Sequence, residues 1–131
     1  AYPPLGRGFL TGTMKTLEAL LPKDRRREHP RFSSDNIGKN AQLLAPLEAI
    51  AQAKRCTPAQ VALAWLLAQT SWIVPIPGTT NMDHLRENMN AVKVELTPAD
   101  LREIETAFSQ IEIYGGRMDA RQMAQIGQDG E

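Results

Sequence analysis

An α/β chain in which helix outweighs strand is the fold class this sequence predicts, and three observations predict it. The run Trp72–Pro77 is short and almost wholly apolar, and Pro77-Gly78 closes it before a polar segment from Asn81 to Asn90 that reads as a helix. Two further helices announce themselves by Thr-Pro pairs at their starts, Thr57-Pro58 and Thr97-Pro98. Leu43, Leu44, Leu47, Ile50 and Ala51 recur at helical spacing between Asn40 and Arg55. About two strand segments thus stand beside four or five helices.

Taken in order, residues 1–12 read as a strand end followed by the turn Pro3-Pro4-Leu5-Gly6, since proline suits an exit from a sheet rather than its middle. Residues 13–39 read as a long loop with one helical turn near Met14–Leu21. Its mixed run from Lys23 to Arg31 is mostly basic but has no interleaved aromatics, so a solvated loop is expected rather than a nucleic-acid or phosphate site. Residues 40–69 are expected to be helical. Pro46 costs about 3 kcal/mol inside a helix, so it predicts either a kink or a helix that begins near it. Thr57 is placed to cap the next helix, with Pro58 at its first position and Gln60 completing a capping box. The body Val61–Ala68 is apolar nearly all round and expects burial on several sides.

Residues 72–90 form the strand–turn–helix stretch around which the chain is organised. Its near-continuous apolar run fits a parallel strand covered on both faces, although Pro75 would normally mark an edge. Helix-start N–H groups beside a glycine and two hydroxyls, Gly78-Thr79-Thr80, make a site that suits a phosphate. The plainer alternative is that these residues only turn the chain and cap the helix. Over residues 97–111 the terminal helix has Thr97 as cap, Pro98 at the first position and Leu96 stapled onto Leu101. Leu101, Ile104, Phe108 and Ile111 form its apolar stripe. The tail, 112–131, has no clear period.

Composition narrows the function. The 131 residues carry 15 Lys+Arg against 15 Asp+Glu, so net charge gives no pull toward nucleic acid or a membrane surface. No apolar stretch approaches a membrane span and no signal peptide is visible. The single cysteine, Cys56, allows no internal disulfide and fits a reducing, cytoplasmic setting. It has no local His or acid partner for nucleophilic work, and His29 and His84 are not at metal-ligand spacing. No metal site and no catalytic residue is expected. Tyr114 stands in the tail with no lysine or histidine motif beside it in the sequence, which disfavours it as a general acid.

Three stretches together resemble a known family. Ile76-Pro77-Gly78-Thr79-Thr80 with His84-Leu85 and Glu87-Asn88 is similar to the last strand-to-helix unit of the aldo-keto reductases. The run from Ala1 to Gly12 resembles the segment leaving their seventh strand, and Thr57–Leu67 resembles their seventh helix. The resemblance covers residues 1 to about 110 and implies the C-terminal part of a (β/α)8 TIM barrel, with NADPH as cofactor. It places Tyr2 beneath the nicotinamide, and Leu5, Gly6 and Arg7 beside the pyrophosphate. Gly78, Thr79 and Thr80 would hold the 2′-phosphate, with His84 at the family's basic position, and Glu87 and Asn88 would face the adenine. Pro3 departs from the family's pattern, which usually has a serine there.

A closed barrel of this kind takes about 250 residues. The expectation is therefore a cofactor-binding segment that lacks the catalytic tetrad and is inactive alone, whether as a truncated product, a fragment, or one piece of a two-piece assembly. Its partners would be NADPH and a missing N-terminal barrel fragment. The alternative is a non-catalytic remnant that acts as a structural, self-associating module, using the apolar area of Trp72–Ile76 and Val61–Leu67.

Overall fold

Side-chain caps set where three of the α-helices begin. The computed structural model describes residues 3–119 and Ala124, which contain five α-helices and six short 3₁₀ turns. These are α1 (Ser34–Asn40), α2 (Leu44–Lys54), α3 (Pro58–Gln69), α4 (Met82–Asn90) and α5 (Pro98–Ser109). The chain divides into two compact units, Ala1–Thr13 with Leu43–Ile111 and Met14–Gln42 with Glu112–Glu131.

In the first unit, α2 begins at Leu44, so Pro46 occupies its third position, where the missing N–H was never going to find an intrahelical partner. The helix ends at Arg55, whose φ of 55° and ψ of 43° are left-handed, and the Arg55 N–H returns to the carbonyls of Ala51 and Gln52. Helix α3 starts as its sequence predicts. Thr57 Oγ1 accepts the Gln60 N–H at 3.2 Å, and Gln60 Oε1 accepts the Thr57 N–H at 3.1 Å, with Pro58 at the first position. Helix α5 repeats this device with Asp100, whose Oδ2 accepts the Thr97 N–H at 2.6 Å.

The core of this unit is Leu47, Ile50 and Ala51 of α2, Val61 of α3 and Ile104 of α5, flanked by Leu10, Cys56, Trp65, Leu96 and Phe108. Leu47, Ile50 and Ala51 stand at i, i+3 and i+4, so they line one face. Helix α3 is the centre of the unit. Ala59 and Val61–Ala64 are all buried, and α2, α4 and the 3₁₀ turns Gly6–Thr11 and Ala91–Lys93 pack against it. Helix α5 lies on α2, where Asp100 of α5 pairs with Lys54 of α2 at 2.6 Å.

The expected strand is not formed. Residues 73–79 belong to no strand, and Trp72, Val74 and Ile76 are exposed. A strand exists only when its N–H and C=O groups meet a partner, and no described residue forms a strand beside them. The apolar pattern of Trp72–Pro77 is present, but among the described residues it is not part of a sheet.

In the second unit, residues expected as one long loop make three 3₁₀ turns, Leu17–Ala19, Arg25–Glu28 and Pro30–Phe32, and then helix α1. The guanidinium of Arg27 organises the first of them by donating to the carbonyls of Leu17, Leu20 and Leu21 at 2.7–2.9 Å. Arg26 is paired with Asp24 at 2.6 Å, and His29 is buried, so the basic run is not simply a solvated loop. The Arg26 guanidinium and backbone N–H hold the Asp24 carboxyl at about 2, well below the usual range. Buried Asn40 grips the tail: its amide donates to Tyr114 C=O at 2.9 Å and its oxygen accepts Tyr114 N–H at 2.9 Å.

Candidate functional site

The residues singled out from the sequence fall into two groups, both carried by elements that rest on α3. The first group is Leu5, Gly6 and Arg7, at the 3₁₀ turn Gly6–Thr11. Gly6, Arg7 and Gly8 take positive φ in succession, at 56°, 59° and 90°. Three consecutive left-handed residues bend the chain sharply, and Arg7 does so with a side chain, a conformation that costs on the order of 1–2 kcal/mol. Backbone hydrogen bonds hold the bend: Gly8 N–H to Leu5 C=O at 3.0 Å and Leu10 N–H to Leu5 C=O at 3.2 Å. Phe9 is buried and Leu10 packs on the core, which fixes the turn to the body of the unit. Tyr2 lies outside the described residues.

The second group surrounds the start of α4. Gly78, Thr79, Thr80 and His84 are exposed, while Glu87 and Asn88 are half-buried on the second turn of the helix. Asn81, which sequence reasoning did not single out, is the cap. Its Oδ1 accepts the N–H of Asp83 at 2.8 Å and of His84 at 3.3 Å, and Thr79 Oγ1 accepts the Asn81 N–H at 3.1 Å. The helix is therefore capped, but by Asn81 and not by the Gly78-Thr79-Thr80 run to which the plain reading gave that task. A signal was present, because Asn is among the strongest cap residues.

Gly78 does something that the cap does not explain. Its φ is not left-handed, and a Cβ built on it meets nothing within 4 Å. Neither backbone conformation nor packing within the chain requires glycine there. Gly115 in the second unit is the opposite case: its φ is +86° and a Cβ would fall 2.7 Å from Pro30 C.

The donor set at this end suits an anion. Thr79, Thr80 and His84 carry hydroxyl and imidazole groups around this exposed helix start, where Thr79 takes the Asn81 N–H, Asn81 takes those of Asp83 and His84, and the Met82 N–H is left for a ligand or water. Arg86, a further cation nearby, is paired with Asp83 at 3.1 Å on the exposed face, a contact worth little in water.

Chemistry elsewhere is sparse. Burial pushes the Cys56 thiol up, against the smaller opposing effect of Lys54, so it is less ionised than a free thiol. Lys39, not adjacent in sequence, lies over the Tyr114 ring with its Nζ 5.0 Å from the centroid. It meets the face of the ring, and the hydrogen-bonded Glu112 carboxylate pushes the phenol up. A phenol raised in this way is a poor proton donor to a developing alkoxide. Among the described residues, no group of His, Cys, Asp and Glu could hold a metal ion, and no helix is long and apolar enough to cross a membrane.

Comparison with known proteins completes the picture. The profile described as the Aldo/keto reductase family matches residues 1–108. The chain is 47% identical over 116 residues to the aldo-keto reductase yakc [NADP(+)] of Schizosaccharomyces pombe, covering 88% of this chain and 34% of that protein. It is 42% identical over 116 residues to a probable aldo-keto reductase 1 of Glycine max, covering 88% and 33%. A third relative, the aldo-keto reductase str7 of Strobilurus tenacellus, is 41% identical over 117 residues, covering 89% and 35%. The chain belongs to the aldo/keto reductase family, as its three sequence stretches imply. It spans about a third of the length of the curated relatives that it matches.

Proposed function

We propose that this chain is the C-terminal, cofactor-binding segment of an NADPH-dependent carbonyl reductase built on a (β/α)8 barrel. Family membership across residues 1–108 carries the proposal, and a relative whose name includes NADP(+) supports the choice of cofactor. Gly78, Thr79 and Thr80 with His84 take the 2′-phosphate, a reading supported by the exposed hydroxyl and imidazole groups of this stretch and by open space at Gly78, where a Cβ meets no described residue within 4 Å. Glu87 and Asn88 meet the adenine, whose base edge suits an amide. Leu5, Gly6 and Arg7 lie along the pyrophosphate, where the backbone bend at Gly6–Gly8 allows close approach. Tyr2 stacks on the nicotinamide.

Bound NADPH supplies the hydride for reduction of a carbonyl to an alcohol. The role of this chain is to hold the nucleotide end. It carries no catalytic tetrad, so it is inactive by itself and depends on the earlier barrel strands. Residues 72–77 become a strand only against those earlier strands, which accounts for an apolar run left exposed in this chain. The reading places the protein in the cytoplasm, in keeping with its lone cysteine. Calorimetric titration with NADPH and with NADH tests it: micromolar binding that favours NADPH is expected, and a folded chain that binds neither overturns it.

One observation favours a second reading, a self-associating structural module. Trp72, Val74 and Ile76 are exposed, as are Met82 and Met89 of α4. Of the other surface expected to serve it, Val61–Leu67, residues Val61–Ala64 are buried within the unit, Trp65 and Leu66 are half-buried and Leu67 is exposed. Light scattering over a range of concentrations separates the two readings. Mass that grows with concentration, and falls back in a Trp72→Lys/Ile76→Lys variant, supports the module; a constant monomer mass excludes it.

A further inference from the structure

The side chain of Gln60 has two ends, and the structure uses both. Its oxygen accepts the Thr57 N–H at 3.1 Å and so closes the capping box of α3. Its nitrogen donates to the main-chain carbonyl of Glu87 at 2.9 Å, a bond that crosses 27 positions of sequence and reaches α4. The first task needs only an acceptor, and glutamate serves it as well as glutamine in such boxes. The cap alone therefore does not account for the amide.

The second task meets a real need. Glu87 C=O is one of the four carbonyls at the end of α4 for which the helix has no N–H of its own, and the Ala91 N–H turns to Asn88 instead. Helix α4 is also weakly held. It has nine residues, none fully buried, and Met82, Leu85 and Met89 are exposed. A helix of that length is marginal without tertiary support. A partly buried hydrogen bond from the start of the best-packed helix of the unit is a large share of that support.

We infer that Gln60 is a positioning residue for the nucleotide site: by binding Glu87 C=O it sets the second turn of α4, and with it the side chains of Glu87 and Asn88. The inference rests on the proposed cofactor reading, in which those two side chains face the adenine. Gln60 touches no cofactor itself. It acts through the helix backbone.

Gln60→Glu separates the two tasks, since a carboxylate keeps the acceptor for Thr57 and loses the donor for Glu87. The full chain and this variant are titrated with NADPH by calorimetry. Hydrogen exchange is followed in both, along with the thermal midpoint. The expected result is an NADPH affinity about tenfold weaker, the equivalent of one lost hydrogen bond. Exchange should quicken across Met82–Asn90 but not across Pro58–Gln69, with the midpoint little changed. Wild-type affinity in the variant overturns the positioning role and leaves the cofactor reading standing. Weaker binding that comes with faster exchange throughout and a lowered midpoint also overturns it, because the residue is then only structural. If the unaltered chain binds no NADPH, the cofactor reading falls, and the positioning role falls with it whatever the exchange shows.

Discussion

Two residues adopt or avoid the left-handed region in ways that their identity makes testable. Arg55 ends α2 in the left-handed region, where a Cβ costs about 1 kcal/mol and glycine is the usual occupant. Arg55→Gly should raise stability by about 0.5–1 kcal/mol in urea unfolding, after allowance for the greater freedom of glycine in the unfolded chain. A loss would mean that the Arg55 side chain contributes more than the backbone strain removes. Gly78 is the converse case, with no left-handed φ and open space around it. Gly78→Ala should leave stability unchanged or slightly higher, yet weaken NADPH binding about tenfold by placing a methyl where the phosphate approaches. Equal affinity in the two proteins would count against a phosphate at that point. Neither Arg55 nor Arg7 could be recognised as left-handed from sequence, because arginine carries no preference for that region and the demand comes from how the chain must continue.

At the scale of the element, what was legible was local. Thr57-Pro58 with Gln60, and Thr97-Pro98, mark helix starts because the cap, the proline and the reciprocal partner all lie within four residues. Pro46 was legible for the same reason. The apolar run Trp72–Pro77 was legible as apolar, but no strand forms there among the described residues, since pairing depends on neighbours that sequence periodicity cannot supply. The bond from Gln60 to Glu87 and the grip of Asn40 on Tyr114 join residues 27 and 74 positions apart, beyond any local rule. Asp100 joins both kinds, as the cap partner of α5 and the ion-pair partner of Lys54 on α2. Its hydrogen bond with Lys54, and then those with Thr97, hold its carboxyl below the usual range. A folded-state value below the unfolded one means stability that is present above about 3.9 and lost as pH falls through the lower, folded value. Asp100→Asn should cost about 1–2 kcal/mol near neutrality and flatten this part of the acid limb, measured by urea unfolding from pH 7 to pH 2.5. An unchanged acid limb would show that the pair does not persist in solution.

For the molecule as a whole, the central fact is a division of labour around α3. The 3₁₀ turn Gly6–Thr11 and helix α4 both rest on that helix, so the two groups of residues proposed to face the nucleotide share one support. Membership of the aldo/keto reductase family was legible because three stretches, Ala1–Gly12, Thr57–Leu67 and Ile76–Asn88, occur in order. A substrate was not legible, because no stretch of the sequence singles out a catalytic group or a pocket.

The most direct test of the account is a pair of calorimetric titrations of the 131-residue chain, one with NADPH and one with NADH. The two nucleotides differ by the 2′-phosphate assigned to Gly78, Thr79, Thr80 and His84. Micromolar binding of NADPH, at least tenfold tighter than NADH and weakened by Thr79→Ala, is the predicted result. Equal affinity for the two, or no binding by a chain that circular dichroism shows to be folded and helical, would contradict it.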